Sequence, residues 1–420
     1  MKIEQAGPFI FMKQMVTRQN ARSLIVSLSM ERPSFARRSP RARWAILNRP
    51  LVLALGLALA LPFVARDAEA AAGCDITLSA DGNTAAVQRH LDAEGKRTPR
   101  VCLRPGHYQG ARLVISRSAE LRAVGDGRVV LDAGGRGRAL TVVQPGIRFV
   151  LSGVTLTEGS VENGGAIAIE AASTVRLVDC WLTRNKAGSH GGAAFVSAGT
   201  LELVRSRVSA NAAMSGSALW VEGGGRLLVA SSVIHDNKSR GGVEDAPIVV
   251  RPGSAVDLLA STVAYNPGHG VFVAPAGPSA TPARLRVESA IVMGAPDAIH
   301  VVRSEAGGAH IHRSVLYGRI GYLPLDPACR RELPVFDLEN VERYRPTYGS
   351  PAMAIGRCDH KDTRRDVAGV GRPLRCTAGG IEADAVAIRK SVSERQDRER
   401  LERSNLDTRE PDFWPRDDEF

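Results

Sequence analysis

One short apolar string recurs along the chain: Ala139-Leu-Thr-Val142, Ala166-Ile-Ala-Ile169, Ala193-Ala-Phe-Val196, Ala218-Leu-Trp-Val221, Pro247-Ile-Val-Val250, Gly270-Val-Phe-Val273 and Ala298-Ile-His-Val301. The spacings are 27, 27, 25, 29, 23 and 28 residues. A second strand-like run follows each string. Four of these runs end alike, as Cys180-x-Leu182-x-x-Asn185, Ser206-x-Val208-x-x-Asn211, Ser232-x-Ile234-x-x-Asn237 and Ser261-x-Val263-x-x-Asn266. Apolar residues alternate with period two, and the runs end in Gly, Asn or Ser, which argues against helices. A period in the mid-twenties with two or three short β runs requires coils of parallel strands. Stacking puts like residues roughly 4.8 Å apart. The Asn185, Asn211, Asn237 and Asn266 column then reads as an amide ladder at a tight turn, where Asn tolerates the left-handed backbone. Cys180 shares a column with Ser206, Ser232 and Ser261 and reads as a buried serine substitute.

Composition agrees with small repetitive elements: aromatics are 5% and glycine is 42 of 420 residues. The net charge of +11 is uneven. Residues 1–72 hold 11 Lys and Arg against 4 Asp and Glu, which leaves the other 348 residues with a net of only +4. Nucleic acid is therefore not an expected partner. Leu51–Val64 is uncharged, too short to span a bilayer comfortably, and follows Arg37, Arg38, Arg41, Arg43 and Arg49. With Ala68-Glu69-Ala70 behind it, residues 1–72 read as a secretory signal with a long basic n-region, and Met30 as an alternative start. The mature chain is expected outside the cytoplasm, as an extracellular, periplasmic or surface protein, with no membrane span and as a monomer. Export permits disulfides. Cys74 and Cys102 can close the N-terminal end, and Cys358 and Cys376 the C-terminal end; spacing alone leaves the pairing open. No Cys/His spacing suggests a metal.

On these residues the chain resembles the right-handed parallel β-helix proteins of the pectate-lyase-like superfamily. Gly164-Gly-Ala-Ile167 and Gly191-Gly-Ala-Ala194 are similar to the GGA repeats of polymorphic outer-membrane proteins, although Leu, Val or Ile stands where those carry the Phe of FxxN. Ser350-Pro351-Ala352, Asp366-x-x-Gly369, Arg372-Pro373 and Gly379-Gly380-Ile381-Glu382 resemble the closing module of secreted bacterial β-helix proteins. The expected fold is all-β, a right-handed parallel β-helix of about eight coils over residues 73–385. Its cap spans 75–110, with a short helix over Ala85–Ala93 begun by Asp81-Gly-Asn-Thr84; coils follow over about 111–320 and a closing segment over 321–385. Residues 386–420 read as a charged, flexible tail.

The superfamily implies two functions. Many members cleave acidic polysaccharides, with a base and often Ca²⁺ held by several carboxylates. No carboxylate column supports this: the position before the Ser/Cys column reads Asp179, Arg205, Ser231, Ala260 and Glu288. Gly268-His269-Gly270 matches one polygalacturonase signature, and Glu244-Asp245 is the closest acidic pair, so His269, Glu244 and Asp245 are the catalytic candidates, with turn roles as the plainer reading. The outward column Ala168, Phe195, Trp220, Val249, Phe272 and His300, with Trp181 on the next strand, reads as an aromatic stripe for stacking sugars or taking a partner. The reading is a structural or binding protein for a glycan or cell-envelope component, without cofactor. A polysaccharide lyase or hydrolase, with Ca²⁺, is the alternative.

Overall fold

The computed structural model describes residues 73–383 apart from 81–83, 96, 242–243, 302–307, 322 and 339–343, together with 393, 394 and 396. The expected signal segment, the residues before Thr84 at the helix start, and all but three residues of the tail lie outside these. No described helix is long and apolar enough to cross a membrane.

Each coil runs through three short strands, as in Arg148–Ser152, Val154–Thr157 and Ile167–Ile169. Strands of one kind stack in parallel, giving sheet 1 with ten strands, sheet 2 with nine and sheet 3 with eight. A four-stranded strip between sheets 2 and 3 includes Ser160–Asn163 and Lys186–His190. The result is a right-handed parallel β-helix of about nine turns. The repeating string is sheet 3: Leu140, Ile167, Ala194, Leu219, Ile248, Val271 and Ile299 pair in one register and face the core. Gly164-Gly165 and Gly191-Gly192 precede two of these strands because the coils touch there. A Cβ on Gly165 would lie 2.3 Å from the Gly192 carbonyl oxygen, so only glycine fits.

The asparagine column forms a continuous buried ladder. Nδ2 of Asn185 donates to Oδ1 of Asn211 at 3.0 Å, Asn211 to Asn237 at 2.9 Å, and Asn237 to Asn266 at 3.0 Å. Each Oδ1 also accepts the backbone N–H of the preceding asparagine. The left-handed residue is not the asparagine but its predecessor: Arg184, Ala210, Asp236 and Tyr265 have φ of 53–56°. That twist turns the following asparagine inward, which corrects the expectation that Asn itself bears the positive φ. The serine column works the same way, with Oγ of Ser206, Ser232 and Ser261 accepting from the backbone N–H of Cys180, Ser206 and Ser232. Here the left-handed residues are Asp179, Arg205, Ser231, Ala260 and Ser289. Glu288 falls one position earlier, opposite Leu259, so it does not belong to the column assigned to it from sequence. Burial pushes the Cys180 thiol up to about 12, as suits a structural rather than a reactive cysteine.

The N-terminal end is covered by the helix Thr84–Asp92, with Val87 and Leu91 turned to the core. Gln88 completes the cover. Its side chain donates to the Val114 carbonyl and accepts from the Val114 N–H, as a neighbouring strand would. Cys74 is bonded to Cys102 and Cys358 to Cys376. At the other end Ile320 and Leu323 enter the core, and Leu325 and Arg330 bridge to Ile311 and Val315 on the last coil. The chain then runs back along the outside of sheet 2. Ala352, Ile355 and Ala378 pack on Ile291 and Val315, Tyr344 and Ile381 on Val233, and the second disulfide on Ala260. Asp366 accepts from the N–H groups of Ala368, Val370 and Glu382, while Glu382 accepts from Thr377 and Arg372 donates to the Gly379 carbonyl. The spaced Asp, Gly, Arg and Glu of this segment therefore tie one loop cluster together.

Candidate functional site

The aromatic column lies on the outer face of sheet 3, where Phe195, Trp220, Val249, Phe272 and His300 pair in register on successive coils. Two of its rings are buried, while Phe195 and His300 are half-buried. Trp220 is 3% exposed and Phe272 7%. The His190 ring lies 4.0 Å from that of Trp220 at a tilt of 38°, Arg251 lies 5.5 Å from the Trp220 ring centre, and Nε1 of Trp220 donates to Glu222. Trp181 is half-buried on sheet 2, donates to Ser209 and sits under Arg128, so it does not join the stripe. Long polar side chains cover the column, a feature that periodicity cannot see.

The stripe ends in a cluster of titratable groups. Oδ2 of Asp297 lies 2.8 Å from Nδ1 of His300 and 3.1 Å from Nδ1 of His269. Oδ1 of Asp297 accepts from Nε of Arg319 at 2.9 Å. The Phe272 ring stacks on His300 at 4.7 Å and 11°. The Gly268–Gly270 motif brings His269 here, since its N–H donates to the Asp245 carbonyl at 2.7 Å. Asp245 and His269 thus meet. Glu244 turns away and pairs with Arg251. Burial, then the charge of His300, hold the His269 imidazole below its ordinary value against the pull of Asp297 and Asp245. Burial opposes ionisation of Asp297, yet His300, His269 and Arg319 hold its carboxyl below the usual range. Asp297 and Arg319 were missed from sequence. They pair across a bulge, where the register shifts between Met293 and Asp297, and no period marks a bulge.

A second place is the outer face of sheet 1. A groove of about 840 Å³ crosses the last coils, lined by Arg226, Arg284, Arg286, His310 and His312, with Asp257 and Glu288 among them. Asp257, Arg286 and His310 are paired neighbours on successive strands. A smaller hollow shares Arg286 and Glu288 and reaches Arg357, Asp359 and His360 of the C-terminal segment. The signal was present in sequence as charge at alternate positions of Arg284-Leu-Arg-Val-Glu288 and Gly308-Ala-His-Ile-His312. It resembled any solvated strand face.

No family model matches the chain, and no curated protein matches it. Among solved structures, two of PL6 family alginate lyase AlyGC, one of them a mutant, align at 10% identity with a TM-score of 0.24. They cover 74% and 72% of this chain. The chain spans 58% and 57% of theirs, a little over half that enzyme's length. A likeness this distant carries nothing about substrate or reaction.

Proposed function

We propose that this chain is an exported, non-catalytic β-helix protein that binds an anionic polysaccharide, free or in the cell envelope, along the outer face of sheet 1. It would belong with the pectate-lyase-like repeat proteins, with GGA-type turns and a C-terminal closing module. Two disulfides fit an oxidising compartment.

The observation that carries the reading is the groove over Arg226, Arg284 and Arg286. Guanidinium groups take carboxylates and sulfates through paired N–H donors. Three of them on one open face, Arg284 and Arg286 on one strand and Arg226 two coils away, suit a linear polyanion better than a small molecule. Asp257 and Glu288 lie among the cations, and Glu288 pairs with Arg286, so an acidic chain must displace that carboxylate to be bound there, which disfavours a neutral or wrongly spaced chain. Trp220, being 3% exposed, offers little ring surface for stacking sugars, so the reading rests on the arginines instead.

The test is retention of the purified, disulfide-bonded protein on uronate-rich and neutral polysaccharides, with and without Ca²⁺, while unsaturated products and reducing ends are followed. The reading expects retention on an acidic polysaccharide, release by salt, and no products. Absence of retention on every acidic polymer would end it. Cleavage is the second reading, favoured by one observation: the half-buried imidazole of His269, 3.1 Å from Asp297, has the character of a general base. Products lost on His269→Gln would establish that reading instead.

A further inference from the structure

We propose that His269, Asp297 and His300 form a binding site for a divalent cation of the zinc class. One ligand atom from each residue, a ring nitrogen of either histidine and a carboxylate oxygen of Asp297, all lie within 4.8 Å of one another, and Nδ1 is the histidine nitrogen that faces Asp297 in both cases. Four-coordinate zinc with bonds near 2.0–2.1 Å needs ligand atoms about 3.4 Å apart. The two contacts to Asp297, at 2.8 and 3.1 Å, must therefore open by only a few tenths of an ångström.

Three further features fit a cation there. Nδ1 of His269 is buried and, although 3.1 Å from Asp297, makes no aligned hydrogen bond. Such an atom has a lone pair to give or a proton with no acceptor, and the first costs nothing if an ion is bound. The charge is also favourable. Among the described residues, Asp297 and Asp245 bring two carboxylates to the site and Arg319 pairs with Asp297, while Oδ1 of Asp245 is buried without a described hydrogen-bond partner. Finally, the ligands are held from behind. Arg319 fixes the free oxygen of Asp297, Phe272 stacks on His300, and the Asp245 carbonyl holds the backbone of His269. Outer contacts of this kind orient metal ligands. Two imidazoles and one carboxylate select a borderline transition metal over Ca²⁺ or Mg²⁺, which prefer all-oxygen sites. When the ion binds, the hydrogen bond between His300 and Asp297 gives way to two metal bonds: the proton that Nδ1 of His300 donates to the carboxylate passes through solvent to Nε2, which frees the Nδ1 lone pair for the metal.

The test uses the tag-free, disulfide-bonded protein, titrated with Zn²⁺ by calorimetry and with Co²⁺ by its visible spectrum. The expected result is one equivalent of either ion, with the intense bands of a four-coordinate N/O site. Asp297→Asn and His300→Gln should each weaken it by about tenfold or more. His107→Gln, at the opposite end of the helix, should leave it unchanged. Failure of the wild-type protein to bind one equivalent would overturn the site, as would unchanged binding in both variants. His300 is partly exposed on its sheet, so its variant keeps the test sound if Asp297→Asn misfolds.

Discussion

Asn211 gives Nδ2 to Leu182, Ser209 and Asn237 and takes, at Oδ1, both N–H groups offered by Asn185. All of these atoms are buried, so no water replaces what is lost. Asn211→Ala strands several groups at once, each costing about 1–3 kcal/mol. The expected loss is at least about 3 kcal/mol of unfolding free energy in urea. An effect below 1 kcal/mol would mean that the ladder is ornament. Asn211→Asp keeps the acceptor, loses the donor and buries a charge, so it should be no milder. Cysteine chemistry is a second check at this scale. Native protein treated with iodoacetamide should label Cys329, which is partly exposed, well before Cys180, which is buried with a thiol pushed up to about 12.

The C-terminal segment is fastened to the coils by the Asp362–Arg176 ion pair, with contacts of 2.5 and 3.2 Å, and Arg176 also meets Glu202. Burial opposes ionisation of Asp362, but Arg176 prevails and holds its carboxyl below the usual value. The folded form therefore binds fewer protons than the unfolded one. The stability this supplies is complete above the unfolded value of about 3.9 and drains as pH falls through the lower, folded value. Asp362→Asn should lower stability at neutral pH and make the acid branch less steep; parallel acid curves would contradict the assignment. Arg372 is fully buried beside Glu382. Removing it leaves an unpaired carboxyl, so Arg372→Ala should cost about 3–5 kcal/mol. Limited proteolysis should find the new cuts between residues 344 and 383 before the coils open.

At this scale the sequence was readable where structure repeats. The sheet 3 string and the Asn and Ser columns give the register strand by strand, because a one-residue slip would turn an inward aliphatic outward. It was not readable where the period breaks. Asp297 and Arg319 meet through a bulge, and Glu288 was placed one residue late because the turn residue of this coil is Ser289, which carries no charge to mark it. Exposure was also hidden. Trp220 alternates outward as a ligand-stacking residue would, yet His190 and Arg251 close over it.

Across the whole molecule the coils divide the work. The returning C-terminal segment packs on the later coils of sheet 2, where an open hollow over Arg128, Trp181 and Arg207 remains beside it, polar side chains lie over Trp220 on sheet 3, and the last coils of sheet 1 carry the larger groove. The groove lies on the last coils, beside Arg357 and His360 of that segment, so the same chain end that covers one face bounds the groove on another. The ionic strength at which binding fails follows from this, since exposed cations act within a screening length of about 8–10 Å. The proposed function requires that the arginines of this face bind a polyanion. It is tested most directly by affinity electrophoresis of the wild-type protein and of an Arg284→Ser, Arg286→Ser double variant through gels loaded with a polyuronate at low salt. Wild-type protein should be retarded and the variant's affinity should fall by about tenfold or more, corresponding to at least about 1.4 kcal/mol. Equal retardation of the two proteins would contradict the account.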